Sequence, residues 1–296
     1  MVTSWRVSHQ EGFTSSDFGM VMNSLRHLDL SSNNFKARNL KSFTNLCTLS
    51  SLNLNQNNLT EDLPSILDHL SSGCTRHSLQ ELDLSNNHIT GTLSEFSVFS
   101  SLKTLVLGQN HLSGKIPHDN ILPPKLESLS IQWNSFEGGI PKSFGNACAL
   151  RLLDISSNSL NEEFSLIIHH LSGCARNSLQ ELRLSANKIN GTLPDLSVFL
   201  ALKKLDLSQN QLSGKISEAS KLPNSLEYLS TQWNSFEGGI PKSFGNACAL
   251  RSLDISSNSL NEEFSVIIHH LSGCARNSLQ ELRLSINNIN GTFLTF

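Results

Sequence analysis

Leu126-Glu127-Ser128-Leu129-Ser130-Ile131-Gln132-Trp133-Asn134 reads as L-x-x-L-x-L/I-x-x-N, and this pattern recurs along the chain. Its closing residue falls at Asn33, Asn57, Asn87, Asn110, Asn134, Asn158, Asn187, Asn210, Asn234, Asn258 and Asn287, which gives eleven repeats. Most are 23 or 24 residues apart. The intervals ending at Asn87, Asn187 and Asn287 are 29 or 30, lengthened by insertions such as His169-His170-Leu171-Ser172-Gly173-Cys174. A period of 100 residues lies over the short one: residues 133–185 and 233–285 differ only at Leu152/Ser252 and Leu166/Val266, and a more diverged copy runs through Cys47, Cys74 and Ser78-Leu79-Gln80-Glu81-Leu82. Duplication of a four-repeat block accounts for this, so near-identity records copying and does not give every copied residue a task.

Within each repeat the L-x-L segment alternates as a strand with one buried face must. Such coils cannot bury their apolar face alone; stacked, they pair each short strand with its neighbours in one parallel sheet. The expected fold is an α/β solenoid, a curved leucine-rich horseshoe whose concave sheet has about eleven strands. The Asn that closes each motif suits a tight bend, because its amide replaces backbone partners. The eleven Asn are therefore read as a structural ladder. The array spans residues 25–291, after a non-repeat segment 1–24 and before a short tail 292–296.

Composition narrows the function classes. The 296 residues are 38% hydrophobic and 16% charged, which excludes a disordered chain. With 22 Lys plus Arg against 25 Asp plus Glu the net charge is −3, and no long-range field draws the chain to nucleic acid or anionic lipid. No apolar run is long enough to span a membrane, and residues 1–12 lack the apolar core of a secretory signal.

After the Asn comes a second signature: Leu112-Ser113-Gly114-Lys115-Ile116-Pro117, Phe136-Glu137-Gly138-Gly139-Ile140-Pro141 and Phe236-Glu237-Gly238-Gly239-Ile240-Pro241, with Ile89-Thr90-Gly91-Thr92-Leu93 and Ile189-Asn190-Gly191-Thr192-Leu193-Pro194. Gly permits the tight bend there and Pro stops helix propagation. These segments resemble the L-x-G-x-I-P element of the plant-specific leucine-rich repeat class. Gly138 to Arg151 together with Ile167 to Leu182 resembles the ectodomain of plant receptor-like proteins, especially those similar to the ethylene-inducing xylanase receptor. The resemblance covers about Leu25 to Thr292.

It implies a non-catalytic recognition module at the plasma membrane or outside the cell. A peptide or protein would be its ligand, and a co-receptor or adaptor kinase would carry the signal in defence or development. Members of that family usually carry a signal peptide, a Cys-bearing N-terminal cap, more repeats, a membrane helix and a short tail. None is found in this sequence, whose caps are expected to be missing, so the chain reads as a fragment or truncated product. The alternatives are an ectodomain fragment of a receptor kinase, a secreted inhibitor similar to polygalacturonase-inhibiting proteins, and a truncated product without function.

The six Cys form three candidate pairs, Cys47 with Cys74, Cys148 with Cys174 and Cys248 with Cys274, each shortly before the strands of consecutive repeats. Spacing alone leaves disulfides and buried thiols equally open. The extracellular resemblance favours bridges, each worth roughly 3 kcal/mol by loop-closure entropy. Asn58-Leu59-Thr60, Asn190-Gly191-Thr192 and Asn290-Gly291-Thr292 are glycosylation sequons.

Other chemistry-bearing patterns fail on context. Asp17-Phe18-Gly19 has no companion kinase motifs. Gly108 to Gly114-Lys115 has five residues between its glycines where a phosphate loop has four, and Ile116 where magnesium needs a hydroxyl. His169, His170 and Cys174, with His269, His270 and Cys274, are metal-ligating types, but adjacent histidines diverge and the Cys have another use. No catalytic residue, metal site or cofactor is expected.

Binding is expected at side chains that project from the sheet. The column before the ladder reads Ser32, Gln56, Asn86, Gln109, Trp133, Ser157, Ala186, Gln209, Trp233, Ser257, Ile286. At strand spacings of about 4.8 Å, Trp133 and Trp233 would lie roughly 19 Å apart, a span that a short extended peptide bridges. Tyr228, Gln232, Lys204, Asp206 and Arg183 complete an aromatic and charged patch beside Trp233. Both Trp are either ligand anchors or duplicated packing residues leaning on the sheet.

Overall fold

In the computed structural model, residues 22–119 and 121–291 are described. Asp17-Phe18-Gly19, nearly all of segment 1–24 and the tail 292–296 lie outside them. One parallel sheet of eleven strands runs through the molecule in chain order. Its members are His27–Asp29, Ser51–Asn53, Glu81–Asp83, Thr104–Val106, Ser128–Ser130, Leu152–Asp154, Glu181–Arg183, Lys204–Asp206, Tyr228–Ser230, Ser252–Asp254 and Glu281–Arg283. Register is fixed by the central Leu: Leu52 pairs with Leu28 and Leu82, and the series continues unbroken to Leu253 and Leu282. A slip by one residue would turn that Leu column into solvent, so each coil has a single register.

The ladder closes each coil. Asn187 Nδ2 donates to the carbonyls of Ile155, Leu184 and Ser185, and its Oδ1 accepts from Leu160 N–H. One buried amide thus serves the backbone of two neighbouring coils, and Asn57, Asn87, Asn110, Asn134, Asn158, Asn210, Asn234 and Asn258 repeat the arrangement.

The convex side explains the long repeats. Their extra residues wind into α-helices, Leu63–Ser71, Phe164–Leu171 and Phe264–His270. Leu63, Ile66, Leu67 and Leu70 are buried at helical spacing, as are Phe164, Ile167, Ile168 and Leu171. Helical elements are bulkier than strands, and this difference in width curves the solenoid with the sheet on its concave face.

Two expectations about the Gly-Ile-Pro segments are corrected. They are more than turns: Ser113–Lys115, Ser135–Gly138 and Ser159–Leu160 form a three-stranded sheet, and Asn190–Gly191, Gln211–Lys215, Ser235–Gly238 and Ser259–Leu260 a four-stranded one. Stacking at a fixed pitch brings their free backbone groups level with the next coil, which is enough to pair them. Pro141 and Pro241 also begin helical turns rather than end them, standing at the N-caps of Lys142–Asn146 and Lys242–Asn246. The missing N–H of proline costs nothing there, because a first-turn N–H has no helical partner.

All six Cys are bridged in the expected pairing, Cys47–Cys74, Cys148–Cys174 and Cys248–Cys274, each with Cα atoms 5.0 Å apart. No described helix is long and apolar enough to cross a membrane.

Candidate functional site: the concave face

The residues that precede the ladder share one backbone feature. All eleven, Ser32 to Ile286, have φ between 53° and 57°. This left-handed turn sends the Asn side chain inward and its predecessor outward, at a cost that a Trp or a β-branched Ile does not ordinarily accept. The expected column is therefore real, and its strain was not legible. Trp133 is 62% exposed, Trp233 53% and Ile286 71%. Burial of the two indoles against the sheet is not what the structure shows.

Strand register assembles most of the expected patch. Lys204 pairs with Glu181 on one side and Tyr228 on the other, and Asp206 lies between Arg183 and Ser230. Arg183, Lys204, Asp206, Tyr228, Gln232 and Trp233 thus occupy three consecutive coils. Trp133 stands apart from them, four strands before Trp233.

Sequence reading missed the acid that organises the cations. Glu181 Oε2 accepts from Arg183 Nη2 at 2.7 Å, Glu181 Oε1 lies 3.2 Å from Lys204 Nζ, and Arg183 Nη1 is 3.7 Å from Asp154 Oδ2. Burial raises the Glu181 carboxyl, but hydrogen bonds and charge from Arg183 and Lys204 outweigh it and hold the group below its ordinary value. Alternation along the strand was the available signal, since Glu181 and Arg183 flank Leu182 and share the open face. The half-buried Tyr228 phenol is raised, chiefly by burial and further by Asp206 and Asp254, against a hydrogen bond with Ser230 and the charge of Arg283. The next copy repeats the motif: Arg283 Nη2 is 2.6 Å from Glu281 Oε1 and Nη1 3.7 Å from Asp254 Oδ2.

The second histidine of each pair has structural work. His170 Nδ1 lies 2.7 Å from the Ile140 carbonyl and 3.7 Å from Glu162 Oε2, while the same Glu162 oxygen accepts from Ile140 N–H at 3.2 Å. His270, Ile240 and Glu262 repeat this, so these side chains fasten the Gly-Gly-Ile-Pro segment to the helix behind it. Cys174 and Cys274 are in disulfides, and among the described residues no three His, Cys, Asp or Glu converge as a metal site. Gly108 lies in a ladder bend, its carbonyl accepting from Asn86 N–H and from Asn110 Nδ2. Of the sequons, Asn190 and Asn290 are exposed, whereas Asn58 is half-buried and its amide donates to Asn34 Oδ1 at 3.2 Å.

An eleven-strand parallel solenoid with an asparagine ladder and second-sheet Gly-Ile-Pro strands defines a plant-type leucine-rich repeat protein. The chain belongs to the leucine-rich repeat family: residues 24–46, 48–70, 125–147, 178–199, 201–221 and 249–274 match Leucine Rich Repeat, and 77–120 match Leucine Rich repeats (2 copies). It is 30% identical to Receptor-like protein 32 of Arabidopsis thaliana over 223 residues, 73% of this chain and 25% of that one. Against Receptor-like protein EIX2 of Solanum lycopersicum identity is 35% over 187 residues, 61% of this chain and 18% of that protein. Among solved structures, the ectodomain of the Arabidopsis receptor kinase HAESA, in complex with an N-terminally extended IDA peptide hormone, superposes with a TM-score of 0.69. It is 31% identical, with 90% of this chain and 42% of that one covered. The chain thus spans about a quarter or less of the curated relatives named here and under half of the solved ectodomain.

Proposed function

We propose that this chain is a recognition segment of a plant cell-surface receptor-like protein, and that its concave face binds an extended peptide or a protein loop without chemical transformation. The observation that carries the reading is Trp233, more than half exposed in a strained left-handed turn, beside Tyr228 and the Arg183–Glu181–Lys204 group. An exposed indole is a strong anchor when a ligand covers it. The charged group on the same strands supplies hydrogen bonds that fix a ligand's register. Trp133, four strands away, lies within reach of the same extended segment. Peptide binding by the HAESA ectodomain supports the ligand class. Three disulfides fit the oxidising exterior of the cell, at or outside the plasma membrane, where glycans on Asn58, Asn190 and Asn290 would be added. Signalling in defence or development then falls to a partner kinase.

The test is selection of binders from an extended-peptide library on secreted, disulfide-intact protein, followed by titration of the best peptide against Trp133→Ala and Trp233→Ala. Loss of about 2 kcal/mol or more, roughly 30-fold in affinity, with an unchanged melting temperature is the expected result. A lowered melting temperature with affinity unchanged per folded molecule would reject the anchors.

A further inference from the structure

The column immediately after the ladder Asn holds an unexplained pair. His88 and His111 are exposed on adjacent coils, with ring centroids 5.4 Å apart and His88 Nδ1 3.3 Å from His111 Nε2. The backbone beneath them is fixed. His88 N–H donates to the Leu59 carbonyl and His111 N–H to the Ile89 carbonyl, each at 2.9 Å, above the buried amides of Asn87 and Asn110. Without a metal, one ring must present a proton to the other across that gap.

A tetrahedral zinc ion with nitrogen ligands at about 2.0–2.1 Å holds any two of them about 3.3–3.4 Å apart. The observed nitrogen separation is that bite distance. We propose that His88 and His111 form a two-histidine site for a divalent transition metal, with zinc as its probe ion. Asn58 and Ser135 stand before and after them in the same column, so neither flanking position of that column sets a lysine or arginine against the ion. Two protein ligands leave two positions to water, so affinity falls well below that of a four-ligand structural site. The site lies on the third and fourth coils, separate from the Arg183–Trp233 patch on the seventh to ninth, and it does not depend on the function proposed above.

The block duplication supplies an internal control. One hundred residues on, Lys188 and Gln211 take the places of the histidines. Their N–H groups meet the Leu160 and Ile189 carbonyls at 2.8 Å, so the same backbone carries a pair that cannot chelate. The experiment is calorimetric titration of the whole disulfide-intact chain with zinc chloride, repeated for His88→Ala, His111→Ala and the double variant Lys188→His/Gln211→His. Circular dichroism confirms each fold. Either alanine variant is expected to remove one equivalent of bound zinc or weaken that step at least tenfold, and the double variant to add one equivalent. Unchanged stoichiometry and affinity in both alanine variants, or no zinc bound by the parent chain at millimolar concentration, would overturn the assignment.

Discussion

Gly145 and Gly173 pack backbone against backbone beside the Cys148–Cys174 bridge. A β-carbon on Gly145 would collide with the His170 carbonyl oxygen, and one on Gly173 with the Gly145 carbonyl oxygen. Gly245 with Gly273 repeats this, and Gly73 meets the Thr44 carbonyl in the same way. The close approach is what brings the two Cys Cα atoms to 5.0 Å. Gly173→Ala is therefore expected to destabilise the chain by about 1–3 kcal/mol, read as a shift in denaturant midpoint. Ser172→Ala, one residue away, loses only the bond from its half-buried hydroxyl to the His169 carbonyl and should cost about 1 kcal/mol or less.

Replacing Cys148 and Cys174 together by Ser opens a loop with a sequence separation of 26 and should cost about 2–4 kcal/mol. Denaturant unfolding of the variant beside the parent measures it. Mass mapping without reduction should find Cys148 linked to Cys174; six alkylatable thiols in the secreted native protein would contradict the bridges.

The ladder and the Leu register were open to reading because each depends on a residue type at a fixed period: Asn158 and Asn187 do the same work for the same reason. What was hidden depends on contact between coils. Gly173 reads as a loop residue until Gly145 is seen behind it. Trp133 and Trp233 announce themselves as outward-facing, but the left-handed backbone that turns them out is set by the adjacent Asn. Glu181 went unnoticed because its importance lies in reaching Lys204, 23 residues later but one strand away.

Asn187→Ala should be far costlier than Asn33→Ala. Asn187 serves two coils from a buried position, and its loss strands the Leu160 N–H and leaves the Ile155 carbonyl with Asn158 Nδ2 alone. An unsatisfied buried N–H costs about 1–3 kcal/mol and the other lost amide bonds add to it, so a loss of about 3 kcal/mol is expected. Among the described residues, Asn33 bonds only the nearby Leu30 and Ser31 carbonyls, and its loss should cost about 1 kcal/mol or less. Equal losses in equilibrium unfolding would show that the inter-coil bonds contribute little.

Thr231 stands where the preceding copy has Ile131, buried in the Leu column, and its Oγ1 has no hydrogen-bond partner. Its backbone still serves the ladder, the carbonyl accepting from Asn234 and Asn258. Thr231→Val removes only the stranded hydroxyl and should stabilise the chain by about 1 kcal/mol. A destabilised variant would mean that the hydroxyl finds a partner in solution.

The last prediction uses a duplicated sequence in two settings. Glu181-Leu182-Arg183-Leu184-Ser185 and Glu281-Leu282-Arg283-Leu284-Ser285 are identical, so intrinsic exchange chemistry and local propensity cancel between them. Strand Glu181–Arg183 is paired on both sides, with Leu152–Asp154 and Lys204–Asp206. Among the described residues, Glu281–Arg283 is paired only with Ser252–Asp254. Leu182 and Leu184 are fully buried, whereas Leu282 and Leu284 are only partly so. The Leu184 N–H donates to the Asp206 carbonyl of the next coil at 2.9 Å. Repeat arrays gain stability chiefly from interfaces between neighbours, so the outer coil opens without unfolding the interior. Native-state hydrogen exchange of the 296-residue chain should therefore show the Leu284 amide exchanging about a hundredfold or more faster than that of Leu184. Equal protection would mean that the array unfolds as a single cooperative unit.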